Sequence, residues 1–234
     1  MKKTFSKILI LSLVISLNVF AQANGKNFGV SLNVNYTTTS SLYLQPDSPD
    51  PIIRATHESI TDIYSYSLDA RYQISESVIL GLGSEYIKKT FGSSMNLGGI
   101  RAAMTDGFKV IPVEFSIYYF IPFSTERFKF FMGGGFGLYF GEQIRELGDV
   151  SVSTESKKIG YGIHVAVGMD YVANDFISVR AQMRFRDPEF EMVSKYSNKN
   201  VTYDGKTYVL PTETVPSKVN IDGITFTLGA VVNF

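Results

Sequence analysis

The stretch Ile159-Gly160-Tyr161-Gly162-Ile163-His164-Val165-Ala166-Val167-Gly168-Met169-Asp170-Tyr171 divides by parity into two unlike faces. Ile159, Tyr161, Ile163, Val165, Val167, Met169 and Tyr171 form one set, large and apolar; the residues between them are small or polar. Successive side chains of a strand point to opposite faces, so this segment reads as a strand with one bulky apolar face and one narrow polar face. A soluble sandwich would bury the apolar face and show water a face rich in Lys, Thr and Glu. A glycine-rich polar face fits the crowded lumen of a small barrel whose apolar face meets lipid.

Working outward, the same pattern returns near the C-terminus, where Ile224, Phe226, Leu228, Ala230, Val232 and Phe234 alternate with Thr225, Thr227, Gly229, Val231 and Asn233. Eight such segments are expected, over 28–38, 63–74, 78–91, 110–121, 129–142, 158–171, 176–186 and 219–234. The fold class is therefore all-β, a closed antiparallel transmembrane barrel of about eight strands. The links 75–77, 122–128 and 172–175 are short, whereas 40–62, 92–109, 143–157 and 187–218 are long. Short periplasmic turns alternating with long external loops are what such a barrel needs, and an even strand number brings both ends to the periplasmic side. The last long link carries a hairpin signal, Val201-Thr202-Tyr203-Asp204-Gly205-Lys206-Thr207-Tyr208, expected to stand above the membrane. Counting its arms as membrane strands would give a ten-stranded barrel, but they are shorter than the roughly 9 to 11 residues a crossing needs.

Lys2, Lys3 and Lys7 precede an apolar run over 8–20 that ends at Ala21-Gln22-Ala23. This is the pattern of a secretory signal peptide, 1–23, leaving 24–234 as one barrel domain. Losing three lysines takes the formal net charge from 0 to about −3, and nothing suggests a nucleic-acid partner. The chain has no cysteine, which excludes a disulfide framework, a thiolate metal site and a lipid anchor on Cys. With 18 Phe, 14 Tyr and no Trp, any aromatic belts must be built from Phe and Tyr.

The C-terminal residues Thr227-Leu228-Gly229-Ala230-Val231-Val232-Asn233-Phe234, the run IPVEFSIYYFIP over 111–122 and the run FMGGGFGLY over 131–139 resemble the small bacterial outer-membrane barrels of the OmpA-, OmpX- and OmpW-like proteins. The resemblance implies residence in the outer membrane, lipid contact, and delivery by periplasmic chaperones to the barrel-assembly machinery. That machinery is expected to read Thr227, Gly229, Val232 and Phe234 as an insertion signal, by strand addition. OmpA-like proteins continue into a peptidoglycan-binding domain and this chain ends at the barrel, so cell-wall anchoring is not expected. The missing Trp departs from the OmpW-like members.

Parity places Asn33, Asn35, Asp69, Arg71, Glu85, Glu114, Lys129, His164, Asp170, Arg180, Gln182 and Arg184 inside the barrel. A lumen charge network of Asp69, Arg71, Glu85, Glu114, Lys129, His164, Asp170, Arg180 and Arg184 reads either as a plug of paired charges or as a narrow gated polar path. The row Arg180, Gln182, Arg184, Arg186 could select anions, but Asp69, Glu85 and Glu114 are there to neutralise it. No enzyme is expected: the only histidines are His57 and His164, and neither lies in a triad pattern. Gly133, Gly134, Gly135, Gly137 and Gly141 fit no phosphate-loop spacing, and read as a strand that leaves room in a crowded lumen. No cofactor or metal site is expected.

The long links hold Leu42, Tyr43, Leu44, Ile52, Ile53, Phe190 and Tyr196, which pack on one another, or form a mouth for a hydrophobic ligand, or face a surface partner. Two functions stay open: a structural or surface-interaction barrel with a plugged lumen, and a narrow porin or conduit for small hydrophobic molecules.

Overall fold

Alternation carries the chain from strand to strand, and eight of the strands close a ring. The computed structural model describes residues 27–210 and 214–234; the expected leader, 1–23, lies outside the described residues. The ring is built by β1 (Phe28–Tyr43), β2 (His57–Gln73), β3 (Val78–Leu97), β4 (Ile100–Phe120), β5 (Phe128–Leu147), β7 (Gly160–Val172), β8 (Ile177–Arg186) and β13 (Ile224–Asn233). Each is antiparallel to its neighbours, and β13 pairs back onto β1 from Gly29↔Asn233 to Thr37↔Thr225. Closure leaves no free edge across the membrane, which lipid requires because it offers no partner to an unpaired backbone group.

The outward face is apolar. Leu32, Leu68, Ile117, Ile163 and Leu228 are each more than half exposed, and exposed Tyr72, Tyr119 and Phe176 flank this band at one end while Tyr64, Tyr86 and Tyr161 flank it at the other. Each Å² of such surface facing water would cost about 25 cal/mol, so the band belongs in a bilayer with its aromatics at the two interfaces.

The long external connections expected over 40–62, 92–109, 143–157 and 187–218 are present, and all but the first are largely strand. β3 and β4 run on to a tight turn at Gly98 and Gly99, both with positive φ. β6 (Val150–Lys157), β9 (Glu189–Tyr196) and β12 (Thr214–Asn220) replace β7, β8 and β13 in the outer wall: β6 pairs with β5 and β9, β9 with β12, and β12 with β1. The segment expected as one strand over 219–234 is split at Ile221–Gly223 for this reason. Above the membrane no lipid demands apolar side chains on the outside, so strands such as Ser93-Ser94-Met95-Asn96 lose the two-residue signal without losing their ladder. The hairpin expectation holds: β10 (Asn200–Tyr203) and β11 (Lys206–Val209) join at Asp204 and Gly205, with φ 49° and 73°. A short helix, α1 (Pro51–Ala55), capped by Asp50, lies between β1 and β2.

Two irregularities interrupt the ladder near the outer interface. The β2–β3 pairing runs from Gln73↔Ile79 only to Ser65↔Ile87, although β2 continues back to His57 and β3 on to Leu97. At this level β1 and β2 change parity together: Thr37 and Ser40 are both buried, as are Ile63 and Ile60, and Asp62 takes φ 56°. The result is a seam between β2 and β3. It is bridged by Lys89 Nζ donating to the Asp62 carbonyl at 3.0 Å, while the Tyr36 hydroxyl donates to Asp62 Oδ1 at 2.8 Å.

Candidate functional site

The inner face of the membrane ring carries the polar half of each alternating strand, and this set of side chains fills the lumen in two clusters. Toward the periplasmic end, Arg180 on β8 grips Asp170 on β7 with two bonds of 2.8 Å, Nε to Oδ1 and Nη2 to Oδ2. Its Nη1 reaches Ser31 on β1 and Asp69 on β2. Arg71 donates to Asp69 at 3.0 Å and to Gln182 at 2.8 Å, with its guanidinium 3.9 Å from the centre of the Tyr118 ring and 4.6 Å from that of Phe131. A planar cation set in the angle of two edge-to-face rings is held by cation–π attraction as well as by its carboxylate. Glycines make the room: a Cβ on Gly168 would stand 2.5 Å from Phe131 Cζ.

One layer further out, two carboxylates and two guanidiniums share a site. Arg184 donates to Glu85 at 2.7 Å and to Glu114; Arg186 donates to both Glu85 oxygens at 2.8 and 3.2 Å and to Glu114 at 3.4 Å. Ser65 also donates to Glu85, and the Tyr139 hydroxyl to Glu114 at 2.8 Å. All six side chains are buried. Buried charges of this kind persist only when paired and hydrogen-bonded, and here the two signs balance.

The structure thus brings together Asp69, Arg71, Asp170 and Arg180 in one cluster and Glu85, Glu114 and Arg184 in the other. His164 is bonded to neither cluster among the described residues; its partner is Ser116, whose Oγ lies 2.9 Å from His164 Nε2. His164 Nδ1 has no partner among the described residues, so no carboxylate orients this serine–histidine pair, and both residues are enclosed. Lys129 does not join: it stands opposite Asp170 in the β5–β7 register, but that carboxylate is taken by Arg180, and no ion pair of Lys129 occurs among the described residues. On the last strand, Thr227 donates to Asn35 at 2.7 Å, Gly229 lies against Asn33, Val232 faces outward, and Phe234 packs on Phe28 with ring centres 6.3 Å apart. His57 sits at the outer rim, its ring 5.1 Å from that of Tyr43.

The sequence placed Arg186 in the row that could select anions but not in the charge network, and it did not single out Tyr118, Phe131, Tyr139, Ser65 or Ser116. The signal for Tyr118 and Phe131 was present in the glycines opposite them, since a row of inward glycines implies a large neighbour to fill the space.

Above the charge clusters the interior changes character. Leu42, Ile60, Ile63, Ile87, Phe108, Val110, Tyr139, Phe190, Met192, Val219 and Ile221 form one buried apolar cluster, with Leu44 and Phe91 packed against it. Ile60 and Ile63 on β2 and Ile87 and Phe91 on β3 place it directly behind the seam. A rim cavity of about 400 Å³, lined by Leu44, Gln45, Ile53, Thr56, His57 and Glu58, opens beside it. A second apolar cluster further out is built on Leu97, Met104, Leu147, Val150, Tyr196 and Leu210. Between the two lies a buried ion pair the sequence reading missed, Arg145 donating to both Asp106 oxygens at 2.6 and 3.2 Å.

The outer membrane protein OprG of Pseudomonas aeruginosa shares this architecture, with a TM-score of 0.61 at 14% identity over 90% of this chain and 96% of that one. The fold is that of a small outer-membrane β-barrel. Neisserial surface protein A (TM-score 0.49, 14% identity, 88% of this chain and 97% of that one) and Ail of Yersinia pestis (0.46, 13%, 89% and 99%) overlap it more loosely. No protein-family description and no curated protein sequence matches the chain. The barrel and its lipid-facing band place the chain in the bacterial outer membrane.

Proposed function

We propose that this barrel is a non-catalytic conduit that admits small apolar molecules at its outer rim and releases them sideways into the outer leaflet. The observation that carries the reading is the seam. The β2–β3 ladder stops at Ser65↔Ile87, just above the aromatic band, with an apolar interior behind it and a charge-filled lumen below it. Ions and water meet a layer of buried paired charges, whereas an apolar molecule leaving the rim cavity meets Leu44, Phe91, Ile60 and Ile63 on its way to the wall. The seam is spanned by the Lys89–Asp62 bond rather than by a ladder, a polar tie worth about 1 kcal/mol over the apolar packing behind it. A second reading, attachment to an external surface, draws on Ile52 of α1, which is 79% exposed at the rim.

The test uses the absence of native cysteine. Thr61→Cys and Thr90→Cys, bridged by a short bismaleimide, staple the seam; Ser94→Cys and Ala103→Cys, bridged alike, staple an intact stretch of the β3–β4 ladder. In liposomes, uptake of an apolar fluorescent probe is expected to stop with the first staple and continue with the second, while planar-bilayer recordings of the unmodified barrel stay silent. Uptake that survives the seam staple would sink the lateral route, and steady ion steps in the unmodified barrel would sink the plug.

A further inference from the structure

Among the described residues, four buried side-chain polar atoms in the outer interior have no hydrogen-bond partner: Gln143 Nε2 and Oε1, Ser194 Oγ and Ser217 Oγ. The three residues are 4%, 0% and 0% exposed. Register places them together. Met192 pairs with Ser217 and Ser194 with Val215 across β9–β12, so the two serines are diagonal neighbours on the inner face. On β5, Gly141 lies under the Phe190 ring, and Arg145 reaches the Tyr196 hydroxyl at 3.5 Å. Gln143 sits between those two contacts, and therefore faces the stretch of β9 that carries Met192 and Ser194.

Buried polar groups are nearly always satisfied, and one left unpaired weighs against the closed state. Here an amide and two hydroxyls are left so within one layer, bounded below by the apolar cluster of Phe190, Met192 and Val219. The cation above is already neutralised, since Arg145 is held by both oxygens of Asp106. We infer that Gln143, Ser194 and Ser217 form a hydrogen-bonding station for the uncharged polar end of an otherwise apolar ligand, an alcohol, ketone or amide, whose hydrocarbon part occupies the apolar layer beneath. This rests on the conduit reading and names its substrate class. Neutral donors and acceptors match a neutral end group; a carboxylate or ammonium entering the same layer finds no free counter-charge and keeps its full desolvation penalty.

The experiment measures equilibrium binding of radiolabelled 1-decanol, decane and decanoate to the full barrel in nanodiscs, with empty nanodiscs subtracted. The wild type is expected to favour decanol over both. The triple variant Gln143→Met, Ser194→Ala, Ser217→Ala is expected to lose about tenfold in decanol affinity with decane unchanged, the scale of one to two lost hydrogen bonds. Equal binding of decanol and decane by the wild type, or a preference retained by the variant, overturns the station while leaving the conduit standing; binding of none of the three overturns both. Folding is checked separately on the single variant Gln143→Met by urea titration of the heat-modifiable band. An unpaired amide predicts a variant at least as stable as the wild type, and a marked loss would show that the amide has a partner and overturn the assignment.

Discussion

The inner and outer halves of the lumen are filled with opposite chemistry. In the inner half, Arg180, Arg184 and Arg186 face Asp170, Glu85 and Glu114, and the interior is held by charge pairs that reach across the ring. In the outer half, Phe108, Phe190, Met192 and Val219 hold it by apolar contact, and the wall itself changes strands and opens a seam. The difference lies in what each filling resists. Paired charges seal against ions but break at high cost if one member goes; apolar packing yields by small steps and lets an apolar molecule exchange for a side chain.

The sharpest way to break this contrast is to remove one charge from the inner half. Arg186→Met leaves Glu85 and Glu114 sharing Arg184 alone, and an uncompensated buried charge of this kind costs about 3–5 kcal/mol. A fall of that size in the urea stability of the refolded barrel is expected, accompanied by intermittent ion steps in planar bilayers. Adding Glu85→Gln restores the balance, and the double variant should recover most of the lost stability. If the two losses simply add, the four groups do not act as one network.

The outer half should respond more gently. Gly141→Ala puts a Cβ about where the Phe190 ring now lies, 2.1 Å from its Cε2, and overpacking of this kind costs about 1–3 kcal/mol. Bilayer recordings of this variant should stay silent, because the charge clusters beneath are untouched. Conductance appearing in Gly141→Ala would mean that the two halves are coupled and that the plug depends on the apolar layer.

The same contrast decides what the sequence could say. Inside the membrane, lipid on one side and a narrow lumen on the other enforce a strict two-residue alternation, so the stretch 159–171 and its counterparts disclose the strands and their inward charges. Parity placed Glu85 and Arg184 in the lumen; it could not say that they meet, because that depends on how far the strands stagger around the ring. Lys129 shows the limit, an inward charge whose opposite number is claimed by a nearer partner. Outside the membrane the constraint lapses. Strands over 93–109 and 189–220 carry apolar and polar residues on both faces, and they read as loops until β6, β9 and β12 are seen to continue the wall. The seam was silent for a different reason, since it is a missing pairing between two strands that are each well formed.

The mildest expected effect lies at the outer tip. The β10–β11 hairpin is tied down by two main-chain amides: Thr202 N–H donates to Asp149 Oδ1 at 2.7 Å, and Ala103 N–H donates to the Tyr203 hydroxyl at 3.0 Å. The bond from the Thr202 amide holds the Asp149 carboxyl below the usual aspartate value of about 3.9. A carboxyl whose folded value is depressed contributes its stabilisation fully above the unfolded value and loses it as the pH falls through the folded one. The protection of the Thr202 and Tyr203 amides, their exchange measured against the intrinsic rate at each pH, should therefore fall below about pH 4 in the wild type, ahead of any change in the membrane strands. In Asp149→Asn the exchange should be faster at neutral pH and should lose its acid step. An acid step that persists in the variant would assign the loosening to another group, and one that spreads at once to the membrane strands would mean that the hairpin does not open independently of the barrel.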